Sequence, residues 1–378
     1  MSDKKIKIAF IIDTIKSPSA GTEKQLLLLL NHLDHNKFEP YLCVLYSSEW
    51  LETEFSACPL YVVGITSFKK VLTLRSFMRF SLYLRRERFD IVQTFFRDAN
   101  IVGVLAGRFA GIRAVIGSRR NQGYWLNWRE RIILKLLDRS TLIYVANSRS
   151  TKHWASKAEG LAMEKIVVIY NALDFSLFRE IALDSRIQVR KQLGIDEKTL
   201  LVVLVANLRP VKDIDTFIKA AARVHQSQPD IKFLIVGEGS EKIRIERLAV
   251  GLGLNGAVKF LGMRLDIPDI LRASDVGVLT SKSESFSNAI AEYLAAGLPV
   301  VSTQVGGSDE AINPDVNGYL VEVGDYEAIA SCILQLRDNS RRAAFNSASR
   351  AKAQSLFPDI TKLTQYQQLY ESISGLRH

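Results

Sequence analysis

The segment that decides the fold is residues 281–307, which read SKSESFSNAIAEYLAAGLPVVSTQVGG. Glu284 follows an apolar run that predicts a strand, and Glu292 lies within a run of small and apolar residues that predicts a helix. A Gly-Leu-Pro stop, a second apolar strand and a Gly-Gly turn complete the unit. Carboxylates accept hydrogen bonds from vicinal hydroxyls and helix N-termini bind phosphate, so this strand–loop–helix unit predicts a site for both sugar and phosphate.

The same alternation of strand and helix patterns runs through the whole chain and predicts parallel sheets with crossover helices. A length of 378 residues and an apolar fraction of 47% suit two α/β domains, each with its own core. The pattern is interrupted at residues 179–185, where we place the linker. Strands are predicted at 6–12, 41–45, 91–94, 114–117, 142–146, 167–169, 200–205, 233–236, 258–261, 276–280 and 300–303. Helices are predicted at 23–33, 216–224, 242–252, 267–273, 287–296, 326–336 and 363–373.

A second candidate element is the loop Asn207-Leu-Arg209-Pro-Val-Lys212, between a predicted strand and a predicted helix. Free N–H groups and the helix dipole favour an anion at such a helix start. Arg209 and Lys212 add full charges that can neutralise a pyrophosphate and stabilise it as a leaving group. The alternative is two surface charges at a helix start. We interpret Asp213 and Asp215 as partners of the helix dipole and expect no metal site.

These two motifs together resemble the signature of retaining nucleotide-sugar glycosyltransferases of the GT-B fold, family 4 (glycosyl transferases group 1). The resemblance implies an α/β protein of two Rossmann-like parallel-sheet domains facing across a cleft. Residues 1–177 would bind the acceptor, residues 178–358 would bind the donor, and a C-terminal helix within 359–378 would pack back on the first domain. Arg209, Lys212 and Glu284 would be catalytic, with the two cations stabilising the leaving diphosphate, and Glu292 would bind the ribose.

The resemblance also implies further donor-binding residues in loops and at helix starts: Gly21, Gly237, Gly239, Arg264, Ser287, Asn288 and Ala289. Arg264 is the candidate to stack on the nucleobase. The chain departs from the family pattern in two loops of its second half. The usual Arg position is Asn207 here, so Arg209 would substitute for it, and Glu284-Ser-Phe-Ser287 replaces the common Glu-Gly-Phe-Gly.

The first half departs from the family pattern as well. Gly21-Thr22-Glu23 carries one glycine of the usual doublet, and none of the five histidines matches the family's first-domain histidine. The loop that corresponds to that histidine holds Arg119, Arg120 and Asn121. We assign these three residues to the acceptor side of the site.

The net charge of +10 is confined to the first half, where residues 1–180 hold 27 Lys+Arg and 17 Asp+Glu. This asymmetry predicts an anionic partner for the first domain. Two segments, 68–88 and 125–135, combine basic residues with large apolar ones, which is typical of helices that bind anionic membrane surfaces. The alternative is an ordinary domain with a solvated basic face. Our hypothesis is that the first domain docks on the inner face of the cell membrane to reach a lipid-linked acceptor.

Three cysteines without metal-ligand spacing indicate a reduced compartment. With no signal-peptide pattern and no apolar run of bilayer length, we expect a cytoplasmic protein. The resemblance implies a UDP-, GDP- or ADP-sugar donor, a glycan or lipid-linked glycan acceptor, no cofactor, and a role in bacterial surface polysaccharide or lipopolysaccharide synthesis. The alternatives are a GT-B epimerase or phosphorylase and an inactive membrane-associated scaffold. A nucleic-acid binder would leave the neutral, motif-rich second half unexplained, so we expect no nucleic-acid partner.

Overall fold

The computed structural model describes residues 4–18, 21–66, 72–122, 128–178, 183–360 and 363–375. Its backbone contacts divide the chain into two compact units, each built from alternating strands and helices. The first unit is Met1–Ala172 with Pro358–His378, and the second is Leu173–Phe357. A helix begins at Leu183, within the segment predicted as the linker.

The first unit contains a seven-stranded parallel sheet in the order β3-β2-β1-β4-β5-β6-β7. The strands are β1 (Ile6–Ile12), β2 (Phe38–Val44), β3 (Leu60–Val62), β4 (Ile91–Thr94), β5 (Ala114–Arg119), β6 (Ile143–Ala146) and β7 (Ile166–Val168). Its helices are α1 (Gly21–His32), α2 (Glu49–Thr53), α3 (Leu72–Arg86), α4 (Arg97–Phe109), α5 (Trp128–Asp138), α6 (Arg149–Glu159) and α15 (Thr364–Ser374). From β1 the chain builds outward in one direction and then returns to add β4 on the other side, so the strand order reverses between β1 and β4.

The second unit contains a six-stranded parallel sheet in the order β10-β9-β8-β11-β12-β13. The strands are β8 (Leu201–Val205), β9 (Lys232–Val236), β10 (Val258–Gly262), β11 (Val276–Leu279), β12 (Val300–Thr303) and β13 (Gly318–Val321). Its helices are α7 (Leu183–Leu193), α8 (Ile214–Ser227), α9 (Lys242–Gly251), α10 (Ile267–Ala273), α11 (Asn288–Ala295), α12 (Ser308–Ala311), α13 (Tyr326–Gln335) and α14 (Asn339–Leu356). Val202 of β8 pairs with Phe233 of β9 and with Val276 of β11, so the reversal of strand order lies between β8 and β11.

The strands of both sheets are short apolar runs because helices cover both faces of a parallel sheet. β1 reads IKIAFII, and its last five residues are fully buried. β8 reads LVVLV and is buried along almost its whole length. Such runs are visible in the sequence, which explains why the fold class, two parallel-sheet α/β domains, was predicted correctly.

The last helix belongs to the first unit, as predicted. Tyr370 of α15 is fully buried, and its hydroxyl donates a hydrogen bond of 2.5 Å to Gln93 Oε1 on β4. The Tyr370 ring also packs edge-on against Phe10 and Phe38, with centroid distances of 6.2 and 5.9 Å. Helix α15 therefore completes the core over β1 and β2.

The prediction missed several elements, among them α4, α6 and α7, and three of the missed elements have weak patterns. β3 and β13 are edge strands of three and four residues, and β13 begins with Gly318. Helix α14 is 18 residues long but buries only Phe345, Ser349 and Ala353, so its apolar periodicity is sparse. These elements depend on contacts with the rest of the unit rather than on a strong local pattern.

Candidate active site

The predicted site residues of the second unit lie at the carboxyl edge of its sheet, where the strand order reverses. β8 leads into α8 and β9, whereas β11 leads into α11 and β12 on the other side. Open α/β sheets bind their ligands in the crevice that this divergence creates. Arg209 and Lys212 lie in the loop after β8, and Glu284 lies in the loop after the neighbouring β11.

Hydrogen bonds hold these two loops together. The Thr280 hydroxyl donates to the Lys212 carbonyl at 2.9 Å, and the Lys282 amide donates to the Val211 carbonyl at 2.8 Å. The end of β12 adds a third connection, because the Thr303 hydroxyl donates to the Ser281 carbonyl at 2.7 Å. These hydrogen bonds fix the positions of the two loops relative to each other.

Lys212 and Glu284 form an ion pair between the two loops. The Lys212 ammonium donates to Glu284 Oε1, and the Ser281 hydroxyl donates to the same oxygen at 2.7 Å. The two side chains are 22% and 13% exposed, so the pair is largely shielded from solvent. Both donors bind Oε1, and no described residue donates to Glu284 Oε2. One carboxylate oxygen is thus anchored, and the other is available to a ligand.

Arg209 differs from Lys212 in its surroundings. It precedes a single 3₁₀ turn, Pro210–Lys212, and its side chain is exposed. Within the part of the chain that the structure describes, this side chain makes neither a hydrogen bond nor an ion pair. Lys212 is therefore held by its ion pair with Glu284, whereas the exposed side chain of Arg209 can move toward an anion.

The two aspartates beside Lys212 have partners within the protein. Asp213 Oδ2 accepts a hydrogen bond of 2.8 Å from the Thr216 hydroxyl. Asp215 accepts two hydrogen bonds from the Arg244 guanidinium, at 2.6 and 2.7 Å, which lowers the pKa of Asp215. No group of three or more metal-ligating side chains occurs among the described residues.

Helix α11 is anchored by Tyr293. The hydroxyl accepts a hydrogen bond of 2.7 Å from the Val205 amide of β8. The ring packs on Gly277 of β11, where a Cβ atom would approach it to 2.5 Å. Ser287 precedes the helix, Asn288 and Ala289 form its first turn, and Glu292 is 8% exposed one turn later. The structure thus holds the N-terminus of α11 beside the loop that carries Glu284.

Gly237 and Gly239 allow two loops of the chain to approach each other. A Cβ atom on Gly237, which has a φ of +136°, would lie 1.9 Å from the Ala206 carbonyl oxygen. A Cβ atom on Gly239 would lie 2.3 Å from the Leu208 carbonyl oxygen. The Leu208 amide also donates to the Glu238 carbonyl at 2.9 Å. The close approach that these two glycines allow is made here by the loop after β8, and their role in binding the donor stays a prediction.

Two other predicted residues lie outside the loops that carry Lys212 and Glu284. Arg264 follows the edge strand β10, and its guanidinium donates to both oxygens of Asp266, at 2.7 and 2.5 Å. Gly21 is the first residue of α1 in the first unit. No described hydrogen bond or ion pair joins Arg264 to the Lys212–Glu284 pair.

Arg119 has a structural role, which corrects its assignment to the acceptor side. Its side chain is buried, and Nε donates to both oxygens of Glu159 at 3.1 and 2.8 Å. The guanidinium also stacks on the Tyr144 ring, 4.6 Å from the centroid. A buried, paired charge of this kind is committed to its partner and cannot also hold a ligand.

The neighbouring residues of that loop have different environments. Arg120 donates to Asn171 Oδ1 at 2.8 Å and to the Tyr366 hydroxyl at 2.9 Å, which links the end of β5 to α15. Asn121 is half-buried immediately after it. Arg120 and Asn121 lie at the carboxyl edge of the first sheet, and their assignment to the acceptor side stays a prediction.

Asp13 is a candidate residue that the sequence analysis missed. It directly follows β1, at the reversal between β1 and β4, and its Oδ1 accepts a hydrogen bond of 2.8 Å from the Ala99 amide. Burial raises the pKa of Asp13 to about 6, although the Ala99 hydrogen bond opposes this shift. Strongly shifted carboxyl groups cluster at functional sites. The signal was present in the sequence, because an acidic residue ends the apolar run IKIAFII.

We expect Asp13→Asn to stabilise the protein at neutral pH. The pKa of Asp13 is higher in the folded state than its ordinary value near 3.8, so the protonated side chain suits the folded protein better than the ionised one. The protein is therefore most stable with respect to this group below pH 4, and this stability is lost as the pH rises through 6. The variant should therefore gain up to about 3 kcal/mol in the free energy of unfolding at pH 7.5. Urea unfolding at pH 4 and 7.5 measures this difference. An equal effect at both pH values would contradict the shift.

Glycosyltransferase family models match both halves of the chain. Residues 185–352 match the family model described as "Glycosyl transferases group 1", and residues 19–177 match "Glycosyltransferase Family 4". Between them the two models match most of the chain. The protein belongs to the family 4, group 1 glycosyltransferases.

The curated relatives of this chain are named for different substrates. The chain is 30% identical to N-acetyl-alpha-D-glucosaminyl L-malate synthase of Bacillus anthracis over 55% of its own length and 54% of that enzyme. It is 27% identical to UDP-Gal:alpha-D-GlcNAc-diphosphoundecaprenol alpha-1,3-galactosyltransferase of Escherichia coli, over 77% of its own length and 78% of the relative. The match to the first of these spans only about half of that enzyme.

Among solved structures, Anabaena HepE in complex with UDP has the same fold. The TM-score is 0.85 at 24% sequence identity, and the match covers 98% of this chain and 100% of HepE. At this level of identity the comparison establishes the fold alone.

Proposed function

We propose that this protein is a retaining, metal-independent glycosyltransferase. It moves a hexose-type sugar from a UDP-, GDP- or ADP-sugar to a lipid-linked or polysaccharide acceptor in bacterial surface glycan synthesis. The observation that carries the proposal is the Lys212–Glu284 pair, which places a cation and an open carboxylate oxygen side by side where the strand order reverses. The named donor and acceptor of the Escherichia coli relative, and the UDP complex of HepE, support the same chemistry.

Each part of the site has a role in this reaction. Lys212 and Arg209 neutralise the diphosphate as it leaves, so the site does not require a metal ion for that purpose. Glu284 Oε2 accepts a hydrogen bond from a hydroxyl of the transferred sugar, and Glu292 accepts hydrogen bonds from the ribose. Amide groups at the start of α11, at Asn288 and Ala289, face phosphate or sugar oxygens.

The bond changes follow from this arrangement. The acceptor oxygen attacks the anomeric carbon on the face from which the diphosphate leaves, so the configuration is retained. The bond between that carbon and the diphosphate oxygen breaks, and the acceptor proton passes to the departing diphosphate. On the first unit, Asp13 and Arg120 are the candidates to position the acceptor, because both lie at the carboxyl edge of that sheet.

Calorimetric titration with UDP, GDP and ADP tests the donor site. We expect one of the three diphosphates to bind at micromolar strength and the corresponding nucleotide sugar to support transfer to an added glycan acceptor. Release of an isomerised nucleotide sugar without any acceptor would instead identify an epimerase. If the protein binds none of the diphosphates, the proposed function is wrong.

We also propose that the first unit binds an anionic membrane surface on the cytoplasmic side. Helices α3, α4 and α5 pack in sequence on one face of the first sheet and share one core. Their outer faces expose eight large apolar side chains: Leu74, Met78, Leu82, Leu105, Phe109, Ile132, Ile133 and Leu136. We call this set the three-helix surface. Apolar side chains of this size are costly to expose unless a partner covers them.

The charge of the three-helix surface matches an anionic bilayer. Helix α3 carries four arginines and no acidic residue, and Arg75, Arg85 and Arg86 are exposed. Residues 68–71 and 125–127, which belong to the predicted basic segments, lie outside the described residues, as do the side chains of residues 128–131. The described part of the chain contains no helix that is both long and apolar enough to cross a bilayer.

Replacing Leu74, Met78 and Leu82 together by Ser should weaken binding to vesicles with phosphatidylglycerol at least tenfold. Each substitution removes an exposed apolar side chain that would enter the interface. Co-sedimentation at low and high salt measures the loss. The matched control replaces Ile243, Val250 and Leu252 of the second unit, which are 65%, 58% and 43% exposed. Equal losses in both triple variants, or equal binding of the parent to neutral vesicles, would contradict the proposal.

A further inference from the structure

Ser281 is a buried residue that contacts the candidate site without being able to reach a ligand. Its exposed fraction is 0%, and it lies two residues beyond the end of β11. Its hydroxyl donates to Glu284 Oε1 at 2.7 Å, and its carbonyl accepts a hydrogen bond of 2.7 Å from the Thr303 hydroxyl. The end of β12 therefore holds Ser281, and Ser281 in turn holds Glu284.

Glu284 Oε1 has two donors, and they respond differently to a bound anion. Lys212 is attracted to a diphosphate, so its bond to Glu284 weakens or is shared when the anion is present. The Ser281 hydroxyl is neutral and buried, so its bond to Glu284 persists. A carboxylate that kept neither donor would rotate about its side-chain torsions.

We infer that Ser281 is a positioning residue that keeps Glu284 Oε1 in place, with Oε2 directed to the donor sugar, while Lys212 binds the diphosphate. This inference rests on the proposed function. It extends that function to specificity, because a carboxylate with a fixed orientation accepts a hydroxyl of one configuration better than its epimer.

Because Lys212 binds the diphosphate and Ser281 orients Glu284, substitutions should affect diphosphate binding and sugar transfer separately. Ser281→Ala should leave the affinity for the nucleoside diphosphate within about twofold of the parent, since Lys212 and Arg209 remain. The rate of sugar transfer should fall about tenfold, the usual effect of losing one hydrogen bond to a charged group. The ratio of the transfer rates with UDP-glucose and UDP-galactose should move closer to one. For a GDP-dependent enzyme, the same change is expected in the ratio for GDP-glucose and GDP-mannose.

A double-mutant cycle with Glu284→Gln provides the decisive measurement. Gln keeps an acceptor oxygen and therefore leaves a measurable residual rate. If Ser281 acts through the Glu284 carboxylate, Ser281→Ala should lower the parent rate about tenfold but change the Glu284→Gln rate by less than twofold. Ser274→Ala is the matched control, because Ser274 is similarly buried in the second unit and donates only to the Ile270 carbonyl, at 2.8 Å.

Two results would overturn the inference. One is an equal loss of rate from Ser281→Ala in the parent enzyme and in the Glu284→Gln variant, which would indicate general damage to the fold. The other is a rate for Ser281→Ala that matches the Ser274→Ala control. Diphosphate binding by the parent is measured in the same series, and its absence would count against the proposed function separately from the result for Ser281.

Discussion

Replacing Lys212 by Ala should lower the rate of sugar transfer at least a hundredfold and also weaken binding of the nucleoside diphosphate. Removing one preorganised donor from a developing negative charge costs about 10²–10³ in rate. The substitution does additional harm here, because Glu284 is only 13% exposed and would lose its counter-ion. The unpaired carboxylate would then repel the incoming diphosphate.

The control for this prediction is Lys219→Ala in the helix that follows the same loop. Lys219 is exposed on α8 and lies 6.0 Å from the centroid of the Tyr326 ring, away from the loop after β8. This substitution removes the same charge from the same unit without altering the ion pair. Steady-state transfer rates and calorimetry of both variants, with far-ultraviolet circular dichroism to verify folding, measure the effect. A Lys212→Ala enzyme with the activity of the Lys219→Ala control would refute the assignment of Lys212.

Glu284→Gln should affect catalysis and diphosphate binding in opposite directions. The transfer rate should fall about a hundredfold, because a neutral amide is a weaker acceptor for a sugar hydroxyl than a carboxylate. Affinity for the diphosphate should rise severalfold, since the substitution removes a negative charge and frees the Lys212 ammonium. A lower transfer rate together with a higher diphosphate affinity is informative, because unfolding or loosening of the loops would lower both.

Glu327→Gln is the matched control for Glu284→Gln. Glu327 lies on α13, is exposed, and pairs with Arg223 at 3.0 Å. Its replacement should change neither the transfer rate nor the diphosphate affinity beyond about twofold, as is usual for an exposed ion pair. A parallel decrease of rate and affinity in Glu284→Gln would mean that the carboxylate supports the fold of the loop rather than the reaction.

The local patterns predicted the fold class and the placement of the main site loops well. The runs at β1 and β8 are apolar because both faces of each strand are buried, and that information is local to the sequence. The loops after β8 and β11 meet because the two strands are neighbours at the reversal of order. Sequence similarity to a family, rather than periodicity, indicated that these particular strands would be adjacent.

The errors concern contacts between residues that are distant in sequence. Arg119 was placed in the site because its loop corresponds to the one that holds the family's first-domain histidine, but its partner, Glu159, lies forty residues later in the chain. Neither this acidic partner nor the stacked ring of Tyr144 can be inferred from local spacing. Asp13 is visible in the sequence as the acidic residue after β1, but its raised pKa is not, because it arises from burial beside residues distant in the chain, such as Ala99 of α4.

The position of α15 has a consequence for synthesis on the ribosome. The second unit is continuous in sequence, so every residue it needs has been made once Phe357 emerges. The first unit is made earlier but cannot bury Phe10 and Phe38 against Tyr370 until the last helix appears. Domains usually fold in the order in which they are translated. In this chain the half that is translated first is expected to reach its native state last, and it would present an unfinished apolar face to chaperones throughout translation of the other half.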